Sequence, residues 1–308
     1  MAMAAEAEDD EPQELGSSLP RRELGRLLRD AREAAGLTLQ QAADLMEWGK
    51  TTLQNHETAK TAKIREREIR ELCELYGVDD PDRIEGMLQL ARETTGQSWW
   101  RSFDDVMTAK FDTYVGLEAG SRVLDIFQPL VLPGLLQTAD YAKSLDRLAF
   151  PHDTRDALDR RVALRMQRQH IITRTRKPAR LTVVLTQAVL HTVVGGPGVM
   201  GPALRHVADL STRDNVEVRV LPFRAGWPTG NAVAQFIILG FPKAARGRRQ
   251  TEPDMVFAES WAGDVYLQRH EDVARFRSVF RNLADAALDV RQSRDMIRQT
   301  AREYDSER

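Results

Sequence analysis

At 308 residues, with 42% hydrophobic and 29% charged residues, the chain is long enough for about two domains with sizeable cores. It has no apolar run near the ~18 residues of a membrane span, no basic-then-apolar signal peptide, and one cysteine, Cys73, which excludes an internal disulfide framework and a cysteine-rich zinc site. A net charge of −2 neither favours nor excludes a nucleic-acid partner, and the expected location is the reducing cytoplasm.

Residues 1–20 read as a disordered acidic leader: Glu6, Glu8, Asp9, Asp10, Glu11 and Glu14 stand there with no base before Arg21, so the rest of the chain is mildly basic. From Arg21 the pattern becomes helical. Leu24, Leu27, Leu28 and Ala31 form one stripe, which Gly36 ends. A second helix begins at Thr38, with Gln41 three residues on completing a T-x-x-Q capping box. After Trp48-Gly49 a third short helix turns Leu53 and His56 inward. A fourth carries Ile69, Leu72, Cys73 and Tyr76 to Gly77, and a fifth runs from Pro81 through Ile84, Met87, Leu88 and Ala91. Residues 21–96 are therefore expected to form an all-helical domain.

Two short helices joined by a tight turn, the second showing Lys50, Thr51, Thr52, Gln54 and Asn55, suit a major-groove reader. Gln and Asn bond bidentately to adenine, and Lys reaches guanine or phosphate. A plain helical bundle with a solvated polar face is the alternative. The order of residues in "GLTLQQAADLMEWGKTTLQNHETA" resembles the XRE (lambda-repressor-like) helix-turn-helix family, with Gly36, Leu37, Thr38, Ala42, Ala43, Met46, Trp48, Leu53, His56 and Glu57 in register. The resemblance implies DNA contacts from Thr38, Gln40, Lys50, Thr51, Thr52, Gln54 and Asn55. Three positions depart from the family pattern: Leu39 replaces a DNA-contacting Gln, Gly49 an N-cap Ser, and Ala59 a closing Gly.

Beyond Gly96-Gln97-Ser98 the composition shifts to aromatic and β-branched residues. The runs "RVLDIF", "ARLTVVL", "VEVRVLPF", "AVAQFIIL" and "DMVFAES" predict strands, with helices over 153–173 and 273–290 between and after them. Residues 97–290 are thus expected to be a larger mixed α/β domain, making the whole chain α+β, and 291–308 a charged tail or loose helix. "LVLPGLLQTADYAKSL", followed in order by "RVALRMQRQ", "GNAVAQFIIL" and "VFAES", resembles an uncharacterised domain that follows helix-turn-helix modules in actinobacterial regulators. Thr186-Gln187-Ala188 departs from that domain's Asp-Glu-Ala. The resemblance implies a transcriptional regulator, sometimes antitoxin-like, acting with a short companion protein. The PGLLQT stretch itself reads as a strand-to-helix corner, in which Pro133 sets φ, Gly134 permits the turn, Leu135 and Leu136 pack inward and Thr138 caps.

Catalysis finds no candidate. Gly196–Gly201 matches G-x-G-x-x-G, but residues 187–194 separate it from the preceding strand and Pro197 removes an N–H, so it does not fit a dinucleotide fingerprint. The six histidines show no metal-ligand spacing, and no G-x-S-x-G elbow occurs. The chain is read as a non-enzyme without cofactor. Arg161, Arg165 and Arg168 share one helix face, which suits phosphates, an acidic partner or the protein's own acids. With Trp99 and Trp100 they are the candidate partner contacts. The expected partners are double-stranded DNA carrying an inverted repeat, a second copy of the chain and a small companion protein, with no membrane.

Overall fold

A computed structural model describes residues 19–59, 64–95, 99–175, 177–242, 253–260 and 263–307. Residues 1–18 of the acidic leader and the Gly96-Gln97-Ser98 boundary lie outside them; Leu19 and Pro20, expected to belong to the disordered leader, instead open the first helix. The described residues fall into two compact units, one of 19–95 with 108–114 and one of 99–107 with 115–307.

The first unit holds α1 (Leu19–Ala34), α2 (Leu39–Leu45), α3 (Lys50–Glu57), α4 (Glu66–Leu75) and α5 (Pro81–Thr95). The apolar stripes meet as expected: Leu24, Leu28, Ala42, Ala43, Leu53, Ile69, Leu72, Met87 and Leu88 make one core, with Leu27 half-buried at its edge. Punctuation is local. Gly36 and Gly77 end α1 and α4 with φ of +72° and +67°, a conformation open to glycine at no steric cost. Gly25 serves another purpose. A Cβ there would lie 2.6 Å from the carbonyl oxygen of His56 and 2.7 Å from that of Glu57, so α1 crosses the end of α3 at backbone distance.

The second unit is built on a six-stranded mixed sheet of order β3-β2-β1-β4-β5-β6. Its strands are β1 (Val123–Gln128), β2 (Arg180–Thr186), β3 (Val216–Leu221), β4 (Phe236–Gly240), β5 (Met255–Ala258) and β6 (Val265–Leu267). β1, β2 and β3 run parallel, with Asp125 beside Thr182 and Thr182 beside Glu217. β4 pairs antiparallel with the other edge of β1, and β5 and β6 continue antiparallel. Parallel neighbours need crossovers. The first is α7 (Ala139–Ala149), α8 (Arg155–Arg168) and α9 (His170–Thr173); the second is α10 (Gln187–His191) and α11 (Pro197–Leu210). α6 (Ala109–Gly120) precedes β1, and a 3-10 helix covers Trp99–Val106. Five strands match the sequence expectation. β6 was not expected, because three half-exposed residues carry too little alternation to show.

α12 (His270–Ala286) packs Val273, Phe280 and Leu283 against Phe127, Phe236, Ile238 and Val256 of the sheet. The helix expected to reach Val290 stops four residues earlier, and Asp289 accepts a hydrogen bond from Gln292 N at 2.8 Å to start α13 (Val290–Ser306). α13 is the helix among the two alternatives expected for 291–308, but it is packed rather than loose. Ile297, Thr300, Ala301 and Tyr304 are buried at helical spacing, and the Tyr304 hydroxyl donates to Leu190 O at 3.1 Å. Ser293 accepts from Val220 N at 2.9 Å, tying the helix to β3. The charges occupy the faces left over.

Gly196 and Gly201 also find structural roles. Gly196, at φ +86°, precedes α11, and a Cβ on Gly201 would lie 2.8 Å from Asp305 of α13. The PGLLQT corner follows β1 as expected: Leu135 and Leu136 are buried, and Thr138 accepts from Tyr141 N at 3.4 Å. Gly134, however, lies in a short 3-10 turn, and its φ is not among the positive values.

Candidate nucleic-acid interface

α2 starts where the capping box places it. Thr38 N donates to Gln41 Oε1 at 2.9 Å and Gln41 N donates to Thr38 Oγ1 at 3.3 Å, satisfying two orphan amides reciprocally. Thr38 is exposed but engaged in this cap, and exposed Gln40 donates to Asp44 one turn on at 2.8 Å. The turn between the helices passes through Glu47 at φ +55°, a left-handed conformation that costs a non-glycine residue about 1–2 kcal/mol. Ala59 at φ +61° adopts the same conformation just past α3. That backbone explains why the related pattern ends in Gly at this position: only glycine takes it without strain.

On α3, Leu53 and His56 face the core. At 100° per residue the opposite direction is held by Thr51, with Gln54 and Asn55 beside it and Lys50 and Thr52 flanking. Lys50, Thr51, Thr52 and Gln54 are exposed and Asn55 is half-buried. The structure thus gathers these five side chains on one outward surface of a single helix. Electrostatics lends this surface little general pull, since acids outnumber bases between residues 19 and 95.

What orients α3 was not anticipated. Arg32 of α1 holds Glu57 in a two-pronged pair, Nε to Oε1 at 2.6 Å and Nη2 to Oε2 at 2.9 Å, while its Nη1 donates to Leu37 O at 2.7 Å. Both side chains are buried. One guanidinium therefore ties α1 to the end of α3 and to the segment leading into α2. The presence of an Arg and a Glu in the sequence carries no sign of this, because 25 residues separate them.

His56 lies against Trp48, ring centroids 5.5 Å apart. Burial pushes its pKa below the ordinary value of 6.5, with Glu68 pulling weakly the other way. A depressed base favours the neutral form in the folded state, so this contribution to stability is complete above about pH 6.5 and is lost as the pH falls below it. We expect the His56 ring proton to titrate below 6.5 by NMR, with the first unit losing stability on acidification. A midpoint at or above 6.5 would contradict the burial argument.

The residues singled out in the second unit fare differently. Trp99 and Trp100 are half-buried, packed edge-on at 5.7 Å, and Trp99 also meets Phe103 at 6.5 Å. The arginines of α8 are engaged within the unit. Arg161 pairs with Asp153 at 2.8 Å and lies 3.7 Å over the Phe150 ring; Arg165 pairs with Asp146 at 2.8 Å; Arg168 pairs with Glu118 at 2.7 Å. Each of the three spends guanidinium donors on a carboxylate of its own unit, which leaves fewer for a partner. Of the readings open for this helix face, the protein's own acids match the geometry.

Among the described residues no group of three His, Cys, Asp or Glu is placed to hold a metal, and no helix is long and apolar enough to cross a membrane. A family model described as a helix-turn-helix domain matches residues 23–85. A second, described as a domain of unknown function (DUF5753), matches residues 111–299. No curated protein and no solved structure matches the chain.

Proposed function

This chain belongs to the DUF5753 family, and from that premise we propose that it is a sequence-specific DNA-binding transcriptional regulator of the XRE type. The single observation that carries the reading is the outward surface of α3 inside a helix-turn-helix domain, where Thr51, Gln54 and Asn55 stand clear of the core that Leu53 and His56 hold. Side chains of this kind on a second, short helix are what base-edge readout requires. With acids and bases nearly balanced in the first unit, affinity rests on positioned contacts more than on bulk charge, so the salt dependence should be shallow.

The second unit, on this reading, joins two copies over an inverted repeat, because one short reader binds weakly and half-sites lie about a helical turn apart. Support comes from a set of exposed apolar side chains at the end of the sheet where the parallel strands finish. Leu130 follows β1, Val193 follows β2 and α10, and Phe223 and Trp227 follow β3. The His191 and Phe223 rings stack there at 6.4 Å. A small companion protein, as an antitoxin-like role implies, is the second reading for the same surface. The proposal includes no catalysis and no cofactor: the Cys73 thiol is buried against Met87 and its pKa is raised by that burial, the reverse of a reactive cysteine.

Gel shifts with DNA from upstream of its own gene test the reading. Gln54→Ala and Asn55→Ala should each weaken binding by about 1–3 kcal/mol per lost base contact and relax specificity. Lys50→Ala should weaken all sequences alike and reduce the salt slope by about 1. Wild-type affinity in all three variants would remove α3 from the groove.

A further inference from the structure

The second unit contains a cavity of about 820 Å³, within the roughly 300–1,000 Å³ range of small-molecule sites. It opens at the end of the sheet where β1 and β2 begin and β4 ends, beneath α12. Its walls are partly apolar, with Phe241 and Phe280 among them.

The charged residues there break the pattern of the fold. By strand alternation Asp125 shares a face of β1 with Val123 and Phe127, and Phe127 packs in the core beneath α12. A carboxylate thus stands on a core-facing position of a central strand, where an aliphatic side chain would normally pack. Burial pushes its pKa up, and Arg180, Arg277 and a hydrogen bond from Thr182 pull it back. Arg277 pairs with Asp254, which also accepts from Phe241 N at 3.1 Å. Arg180 and Arg281 line the same cavity, and neither guanidinium hydrogen-bonds to or ion-pairs with another described residue. Among the described lining residues arginines therefore outnumber carboxylates around one concave, partly apolar space, an arrangement that concentrates positive potential. Planar guanidinium forks match phosphate and carboxylate geometry. The charge makes this a poor site for a wholly apolar effector.

We propose that this cavity binds a small organic anion, its phosphate or carboxylate held by Arg180 and Arg281, a hydroxyl or amino donor reaching Asp125, and its apolar part against Phe241 and Phe280. The site lies wholly in the second unit, so the proposal stands independently of DNA binding.

Titration calorimetry on the full chain at low ionic strength tests it, with inorganic phosphate, glycerol phosphate and citrate as probes. Saturable binding of a phosphate probe identifies a phosphate ligand, and of citrate alone a carboxylate. Arg180→Ala and Arg281→Ala should each weaken the bound probe by about tenfold or more, as expected for losing a charge-assisted bond. Arg155→Ala, on the exposed surface of α8 and not among the cavity-lining residues, should leave it unchanged. Binding of none of the three probes, or equal binding in the cavity variants and wild type, overturns the proposal. Glycerol phosphate should bind more tightly than inorganic phosphate and lose that advantage in Asp125→Val, which removes the acceptor. An advantage that persists in the variant overturns the donor contact.

Discussion

Replacing Glu57 by Ala will cost the first unit about 3–5 kcal/mol, the range for breaking a buried ion pair from one side. The Arg32 and Glu57 side chains are 9% and 4% exposed, so truncation leaves a desolvated guanidinium with Leu37 O still accepting from it and only the more exposed Glu33 carboxylate, 3.6 Å away, to balance its charge. The loss is comparable to the whole stability of many small domains. Removing both charges as Arg32→Met with Glu57→Leu should cost far less, since no orphan charge remains. Because the pair ties α1 to the end of α3, the single variant should also bind DNA poorly, on the function proposed here, while Thr51, Gln54 and Asn55 are intact. Amide hydrogen exchange in α3 measures the effect directly. Protection within about 1 kcal/mol of wild type would show that the pair is not what holds the reader in place.

A similar loss is expected in the second unit from Arg168→Ala. Arg168 and Glu118 are 8% and 2% exposed and joined by two bonds of 2.7 and 2.8 Å, linking α8 to α6. Removing one side of this buried ion pair should cost about 3–5 kcal/mol, or roughly 6–20 °C in the midpoint of thermal unfolding for a unit of this size. Arg168→Lys should not rescue it, since an ammonium cannot reproduce the fork. Arg155→Ala supplies the contrast. Its pair with Asp159 is exposed and stretched to 3.9 Å, and its loss should change stability by under ~0.5 kcal/mol. Calorimetry of the three variants distinguishes the cases. A midpoint for Arg168→Ala within about 2 °C of wild type would mean the pair contributes only what its replacement by water would.

These two pairs also mark the boundary between what could be read from residues and what could not. The stripe from Leu24 to Ala31, the Thr38–Gln41 capping box, the inward pair Leu53 and His56 and the five main strands are all properties of a few consecutive residues. Helix and strand periodicity and end-capping act over that same range. The outward surface of α3 belongs to this class, since the outward direction of Thr51, Gln54 and Asn55 follows from where Leu53 and His56 must point. The stripe of Ile297, Thr300, Ala301 and Tyr304 was equally local but diluted by charges, and only the surface it packs on distinguishes a docked helix from a loose one.

The remaining features depend on residues far apart in the chain. The three arginines of α8 look alike by spacing, yet their carboxylates come from residues 118, 146 and 153, and which acid meets which base is set by the packing of α6, α7 and α8. Gln137 of the PGLLQT corner accepts from Arg165 at 2.9 Å and donates to Leu132 O at 2.6 Å, a knot invisible in a motif that reads as a plain turn. The sheet order, which brings β4 beside β1 with 107 residues and two strands between them in the chain, is likewise a tertiary outcome. It is this order that sets Asp125, Arg180 and Gly240 around one space with α12 above them. Local sequence determines what each segment becomes because backbone and neighbouring side chains decide it; which charges share a cavity is decided only when segments distant in sequence exclude water together.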